Sequence, residues 1–199
     1  MNILFRSVIL LGPVLFFNAG SEANIFNDVL DLIIPKKYVE VKDLAMKTCS
    51  NAHGGLELQN IHVFNNGKGE IEISGKVNIM TFLSAPITAK VSMERQVFGV
   101  WVRVPCIRDF GSCIYEDLCN YGYDEDTSCP ASFVQDRVPC RCPVEKGLYK
   151  IPSDVRISAD GNHWAGLVSG KYRATATFTH NKYEMACYTA SFTLKAVPK

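Results

Sequence analysis

The chain has 199 residues, of which 47% are hydrophobic and 21% charged, and its formal net charge is +1. No basic block interrupts this near-neutral balance, so there is no electrostatic case for a nucleic-acid partner. The apolar content is ample for one core, and the length favours a single domain.

Residues 1–23 read as an export signal. Arg6 supplies the positive start, Val8 to Phe17 is an apolar run, and Ser21 and Ala23 stand at −3 and −1 of a cleavage site. The run is too short to span a bilayer, so it is a signal peptide and not an anchor. The mature product is expected to be soluble and secreted, with the lysosome as an alternative destination. From Asn24 to Tyr38, the residues Ile25, Phe26, Val29, Leu30, Ile33 and Ile34 recur at helical spacing and are followed by Pro35-Lys36-Lys37. Residues 24–47 are therefore expected to stand apart from the domain. They read either as a propeptide, as a short amphipathic helix that touches lipid, or as a helix packed on residues 48–199.

Strands dominate the remainder of the chain. One is expected around Leu56 to Phe64. Ile71, Ile73, Val77 and Ile79 alternate with polar neighbours, and Ile87, Ala89, Val91 and Met93 repeat the pattern. Phe98, Val100, Val102 and Val104 share a face opposite Trp101 and Arg103. A strand is expected near Leu148 to Ile157. Tyr172, Ala174, Ala176 and Phe178, then Ala186, Tyr188, Ala190, Phe192 and Leu194, supply the last two apolar faces. About seven strands with one apolar face each, joined by short polar turns such as Asn65-Asn66-Gly67, predict an all-β antiparallel sandwich, barrel or cup.

Eight cysteines in a chain with an export signal read as a disulfide framework, and six of them fall between Cys106 and Cys142. None is spaced as a zinc ligand set, because the nearest pair is Cys140-Arg141-Cys142 with no histidine beside it. Between Pro105 and Pro152 five prolines and three glycines break the strand pattern, and this loop-rich insert is expected to be held by the bridges. Ile114 and Leu118, four apart, are expected on one short helix. Asp124-Glu125-Asp126 lacks the alternating oxygens of a calcium loop. Four scattered histidines, with no nucleophile elbow and no H-E-x-x-H, give no reason to expect an enzyme, a metal or a cofactor.

The stretches VFGVWVRVPCIRDFGSCIYEDLC (97–119), VPCRCPVEKGLYKIP (138–152), GKYRATA (170–176) and MACYTASFTLKA (185–196) resemble the GM2 ganglioside activator family of the ML lipid-recognition superfamily. The similarity runs from Cys49 to Val197, and all eight cysteines find counterparts. Spacing alone leaves about a hundred connectivities open. The resemblance implies Cys49–Cys187, Cys106–Cys113, Cys119–Cys142 and Cys129–Cys140. It also implies a β-cup with an apolar cavity for acyl chains. The implied activity is non-enzymatic: glycolipid or phospholipid is lifted from a membrane, which the protein touches peripherally and transiently, and presented to a soluble glycosidase such as a β-hexosaminidase.

Within that frame, the expected lipid-binding residues are Met93, Phe98, Val100, Trp101 and Val102 in the middle of the chain, and Tyr172, Ala176, Phe178, Tyr188, Ala190 and Phe192 in the last two strands. By pattern alone, the large–small alternation of those two strands either leaves space between layers or is filled by aromatics from across; the resemblance favours a cavity. Such a cavity matches the energetics, since an 18-carbon chain strands on the order of 14 kcal/mol in water. Trp164 and Leu167, in a Gly-rich stretch, suit a membrane-docking tip. No N-x-[ST] sequon is present, which removes the glycan handle for lysosomal delivery and favours secretion. The competing expectation is a secreted, lipid-dependent signalling or recognition factor on the same scaffold.

Overall fold

The computed structural model describes residues 37–49, 54–107, 109–152, 155–158 and 168–198. Two antiparallel sheets carry the fold. The larger runs β1 (Lys37–Thr48), β10 (Tyr183–Pro198), β9 (Gly170–His180), β4 (Ile87–Val97) and β5 (Val100–Arg103), with the short β6 (Ile114–Tyr115) also paired to β4. The smaller runs β2 (Leu56–Asn65), β3 (Glu70–Ile79) and β7 (Gly147–Lys150), with β8 (Arg156–Ser158) on β3. The all-β, four-disulfide architecture expected from the alternation is the one observed.

Two hairpins in the larger sheet turn on two residues each. Asn181 and Lys182 take φ of 51° and 68° between paired His180 and Tyr183. Phe98 and Gly99 take 48° and 83° between paired Val97 and Val100. Positive φ at both central positions matches the right-handed strand twist. Asn and Gly accept that conformation cheaply; a bulky Phe does not.

Three expectations need correction. Residues 37–47 do not stand apart, because they form most of β1, the edge strand paired along β10 from Lys37↔Pro198 to Thr48↔Tyr188; residues 24–36 lie outside the described set. Ile114 and Leu118 do not share a helix. Ile114 pairs with Lys90 in β6, and Leu118–Tyr121 is a separate 3-10 turn capped by Asp117, whose carboxylate accepts from the Cys119 amide at 3.0 Å. The strand expected over 148–157 is two strands, divided around Pro152, which cannot donate to a ladder.

Strand irregularities shape the edge where the sheets meet. The β1 register shifts between Lys42 and Ala45, where Asp43 has φ 54°, and the β2 register shifts between Gln59 and His62, where Asn60 has φ 49°. Gly75 faces the second bulge; a Cβ there would lie 2.5 Å from Ile61 Cδ1. The sheets are clasped at this edge by side chains. Asn65 bonds the backbone of Val41, and Tyr188 Oη accepts from the Leu58 amide at 2.8 Å.

One end of the sandwich is closed. Ile79, Leu83, Ile87 and Met185 form a buried cluster, backed by Leu118, Val144, Phe178 and the Cys119–Cys142 bridge. Leu83 and Val144 exchange backbone bonds of 2.9 and 2.8 Å, fastening the insert to this end. Within the insert, Cys106–Cys113 closes a small loop, and Cys129–Cys140 links the two chain segments that flank helix α1 (Ala131–Gln135). Cys49–Cys187 joins the end of β1 to β10. These four bridges are the pairs that the resemblance implies.

Candidate functional site

Side chains paired across an antiparallel sheet project to the same side, so register alone defines the inner wall. Ala89, Phe178 and Ala186 form its lowest row, above the buried cluster; Val91, Ala176 and Tyr188 form the next; Met93, Ala174 and Ala190 the third; Arg95, Tyr172 and Phe192 the row nearest the open end. Of the expected lipid-binding residues, Met93, Tyr172, Ala176, Phe178, Tyr188, Ala190 and Phe192 therefore share one wall. Aromatics stand at its top and bottom, with alanines between them. Val91, Met93, Ala174, Ala176, Phe178, Ala190 and Phe192 are only half-buried, although they lie on strands flanked on both sides. Two sheets with a filled interior would bury them.

The top row is built around Tyr172, which is buried at 2% exposure. Its ring stacks on Phe192 at 5.5 Å and meets Phe110 edge-on at 6.4 Å. Its hydroxyl donates to the Val168 carbonyl at 2.6 Å. Burial raises its pKa above the usual tyrosine value, with the Arg95 guanidinium pulling weakly the other way. Arg95 lies 6.0 Å from the Tyr172 ring and donates to the Ser169 carbonyl at 2.5 Å. Gly170 makes room for it, since a Cβ there would sit 2.9 Å from Arg95 Nε. A cation thus stands in an otherwise apolar wall, near the mouth.

Facing this wall are Leu56, Leu58, Ile71, Ile73, Val77 and Ile79 of the smaller sheet, most of them half-buried. An apolar cavity of about 270 Å³ opens between that sheet and the insert, lined by Val77, Ile79, Tyr149 and Ile151 on one side and Phe133, Val138 and Val144 on the other. Small-molecule sites start near about 300 Å³, so this space suits one segment of hydrocarbon chain. None of these residues was among those expected from sequence. Val77 and Ile79 carried the strand alternation, but Phe133 and Val138 lie in the loop-rich insert, where no period marks which side chain turns inward.

Two expected site residues are placed differently. Trp101 is not on the inner wall. It pairs with Gln96 and points to the outer face, where the Arg173 guanidinium lies 4.6 Å over its ring. Phe98 is not a wall residue either. It is the tip of the β4–β5 hairpin and is wholly exposed, at 103%, because the two-residue turn takes it out of the strand. Val100 and Val102 do pair with Val97 and Arg95, on the inner side of edge strand β5, but remain 64% and 49% exposed. Trp164 and Leu167 lie outside the described residues.

The register places the exposed hairpin at the open end. Arg95 pairs with Tyr172 two residues before Val97, and Gly170 pairs with Leu194, which pairs with Val41. Ser158 pairs with Glu70, at the start of β3. The Phe98 tip, the start of β9 and the end of β8 therefore surround one mouth, opposite the closed cluster.

Comparison with known proteins agrees with this architecture. The ML domain family matches residues 43–194. The mouse protein named Ganglioside GM2 activator is 26% identical over 172 residues, covering 82% of this chain and 88% of its own. The Macaca fascicularis protein of the same name is 26% identical over 132 residues, covering 65% and 70%. Among solved structures, the C-terminal domain of wzt aligns over 85% of both chains at 11% identity, with a TM-score of only 0.31. On the family match, which spans about three quarters of its length, the chain belongs to the ML domain family.

Proposed function

We propose that the protein is a secreted, non-enzymatic lipid carrier that draws a glycolipid or phospholipid out of a membrane and presents its head group to a soluble glycosidase, of the β-hexosaminidase kind. The observation that carries this reading is the half-buried apolar wall facing an apolar cavity, closed at one end and open at the other. A hydrocarbon chain placed there is withdrawn from water at about 0.8 kcal/mol per methylene, which makes a water-soluble lipid complex feasible. The relatives' name, Ganglioside GM2 activator, supports a glycolipid as the ligand.

Contact with the membrane would be peripheral and brief, through the mouth. Phe98 and Val100 are exposed there, and Trp164 and Leu167 belong to the segment between Ser158 and Gly170, which both flank the same end. Among the described residues no helix is long and apolar enough to cross a membrane.

Native mass spectrometry of the protein after incubation with mixed vesicles, together with lipid transfer between two vesicle populations, tests the reading. Bound lipid that exchanges readily supports it. A protein that takes up no lipid overturns it. Tight binding to a receptor, with bound lipid that does not exchange, would assign the scaffold to signalling instead.

A further inference from the structure

The outer face of the larger sheet carries a charge that the whole chain does not. Register places Lys42, Lys171 and Lys195 on this face in the rows nearest the mouth, on three neighbouring strands. Arg103 and Arg173 flank Glu94 in the next row, and Lys47 and Lys90 lie further down. Glu40 and Glu94 are the only carboxylates among the described residues of the same face, so seven cations exceed them by five, against +1 for the chain.

A groove of about 300 Å³ crosses this face over β1, β10, β9 and β4, with Lys47 and Arg173 beside the hydroxyls of Ser92, Thr175, Thr189 and Ser191. Four strands at about 4.8 Å spacing give it a length of about 15 Å. Arg173 is held in place, because its Nε donates to Glu94 at 2.5 Å and its guanidinium lies over Trp101. A guanidinium already fixed loses little side-chain freedom on meeting an oxyanion and can offer its outer N–H pair to two oxygens at once.

We propose that this groove binds a linear sulfated polysaccharide, independently of any lipid between the sheets. The hydroxyl floor suits sugar hydroxyls, and the rows of cations suit sulfates repeated along a chain. A protein partner fits less well, since stable interfaces centre on aromatic and apolar anchors and exclude lysine from their middle. The apolar lining here is Ala45, Ala174 and Ala190 alone. A bilayer fits less well too, because the fully exposed aromatic, Phe98, stands at the mouth and not in this groove.

The experiment is fluorescence anisotropy of the full chain with a labelled heparin oligosaccharide, compared with an uncharged oligosaccharide and with anionic vesicles. Binding should appear only with the sulfated probe and weaken as salt is raised. The pair Lys47→Gln with Arg173→Gln should lose about tenfold or more in affinity. The pair Lys76→Gln with Lys150→Gln, which removes the same charge from the smaller sheet's partnered Lys76 and Lys150, should lose little. If Arg173→Gln disturbs folding, Lys47→Gln with Lys171→Gln leaves the Trp101 stack intact and should give the same ranking. Amide shifts confined to Thr175, Thr189 and their neighbours would place the probe in the groove. No binding, equal loss in both pairs, or a loss seen only with vesicles or an acidic protein would overturn the proposal.

Discussion

Asn65 and Val41 are joined as two strand neighbours would be, although they belong to different sheets. The Asn65 amide donates to the Val41 carbonyl at 2.8 Å, and its oxygen accepts from the Val41 amide at 2.9 Å. One side chain thereby satisfies both backbone groups of an edge strand and closes that side of the sandwich near the mouth. Asn65→Ala leaves both groups without these partners and should cost about 1–3 kcal/mol. Asn65→Asp should cost at least as much, since a carboxylate oxygen replaces the donor facing the Val41 carbonyl. Denaturant titration measures both. A change below about 0.5 kcal/mol for the alanine variant would show that this clasp contributes nothing.

The disulfides should differ in what they contribute. Cys49–Cys187 spans a sequence separation of 138 residues and Cys106–Cys113 one of 7. Constraint of the unfolded chain assigns them about 5 and about 2.4 kcal/mol. The Cys49→Ala/Cys187→Ala protein should therefore melt well below the Cys106→Ala/Cys113→Ala protein in calorimetry. The reverse order would mean that local strain, not chain entropy, governs these bridges.

The strands were legible wherever one face is apolar and the next polar, as in Ile71 to Ile79 and Tyr172 to Phe178. Register then grouped seven of the expected wall residues without any aid from motifs. What could not be read has a local cause in each case. The strand Lys37–Thr48 carries apolar residues on both faces and a bulge at Asp43, which disrupts the period of two. Phe98 continues an apparent alternation through what is a two-residue turn. Phe133 and Val138 have no periodic neighbours, and only the bridges around them bring them to Val77 and Ile79. The cysteine pairing itself came from family resemblance, not from spacing.

Two walls of the proposed lipid space can be tested separately. Ala176→Phe and Ala190→Phe add rings to the gap between the aromatic rows of the larger sheet, and Val138→Trp fills the cavity against the insert. Each should lower lipid stoichiometry in native mass spectrometry while costing about 1–3 kcal/mol of stability. A substitution that leaves stoichiometry unchanged marks a wall that lipid does not touch.

Tyr172 makes alkaline stability part of the mouth. Burial raises its pKa, so the folded state favours the neutral phenol. The corresponding stability is complete below the unfolded value of about 10 and is lost as pH rises through the folded value. Tyr172→Phe forfeits the bond to Val168 and should be about 1 kcal/mol less stable at pH 8. Its stability should then fall less steeply than wild type above about pH 10, so the two curves converge. Parallel curves would mean that Tyr172 ionises in the folded protein as readily as in the unfolded chain.

Phe98 combines an unfavourable backbone with complete exposure, and neither helps the fold. A bulky side chain at φ 48° costs on the order of 1 kcal/mol relative to a residue that accepts the left-handed region. Its ring, wholly exposed, recovers nothing from packing. Asn is favoured at this position of a two-residue turn, so Phe98→Asn should keep or slightly raise the melting temperature. If the hairpin tip enters the lipid interface, the same change removes about 1.5–3 kcal/mol of apolar burial and weakens vesicle binding roughly tenfold to a hundredfold. Calorimetry and vesicle co-sedimentation on one protein sample read the two effects independently. Trp164→Ala gives the companion measurement for the segment between Ser158 and Gly170. Unchanged vesicle binding by Phe98→Asn would remove the hairpin from the docking surface and leave that segment to carry it, whereas a stable protein that no longer binds vesicles would show that the turn keeps a strained residue for contact with the membrane.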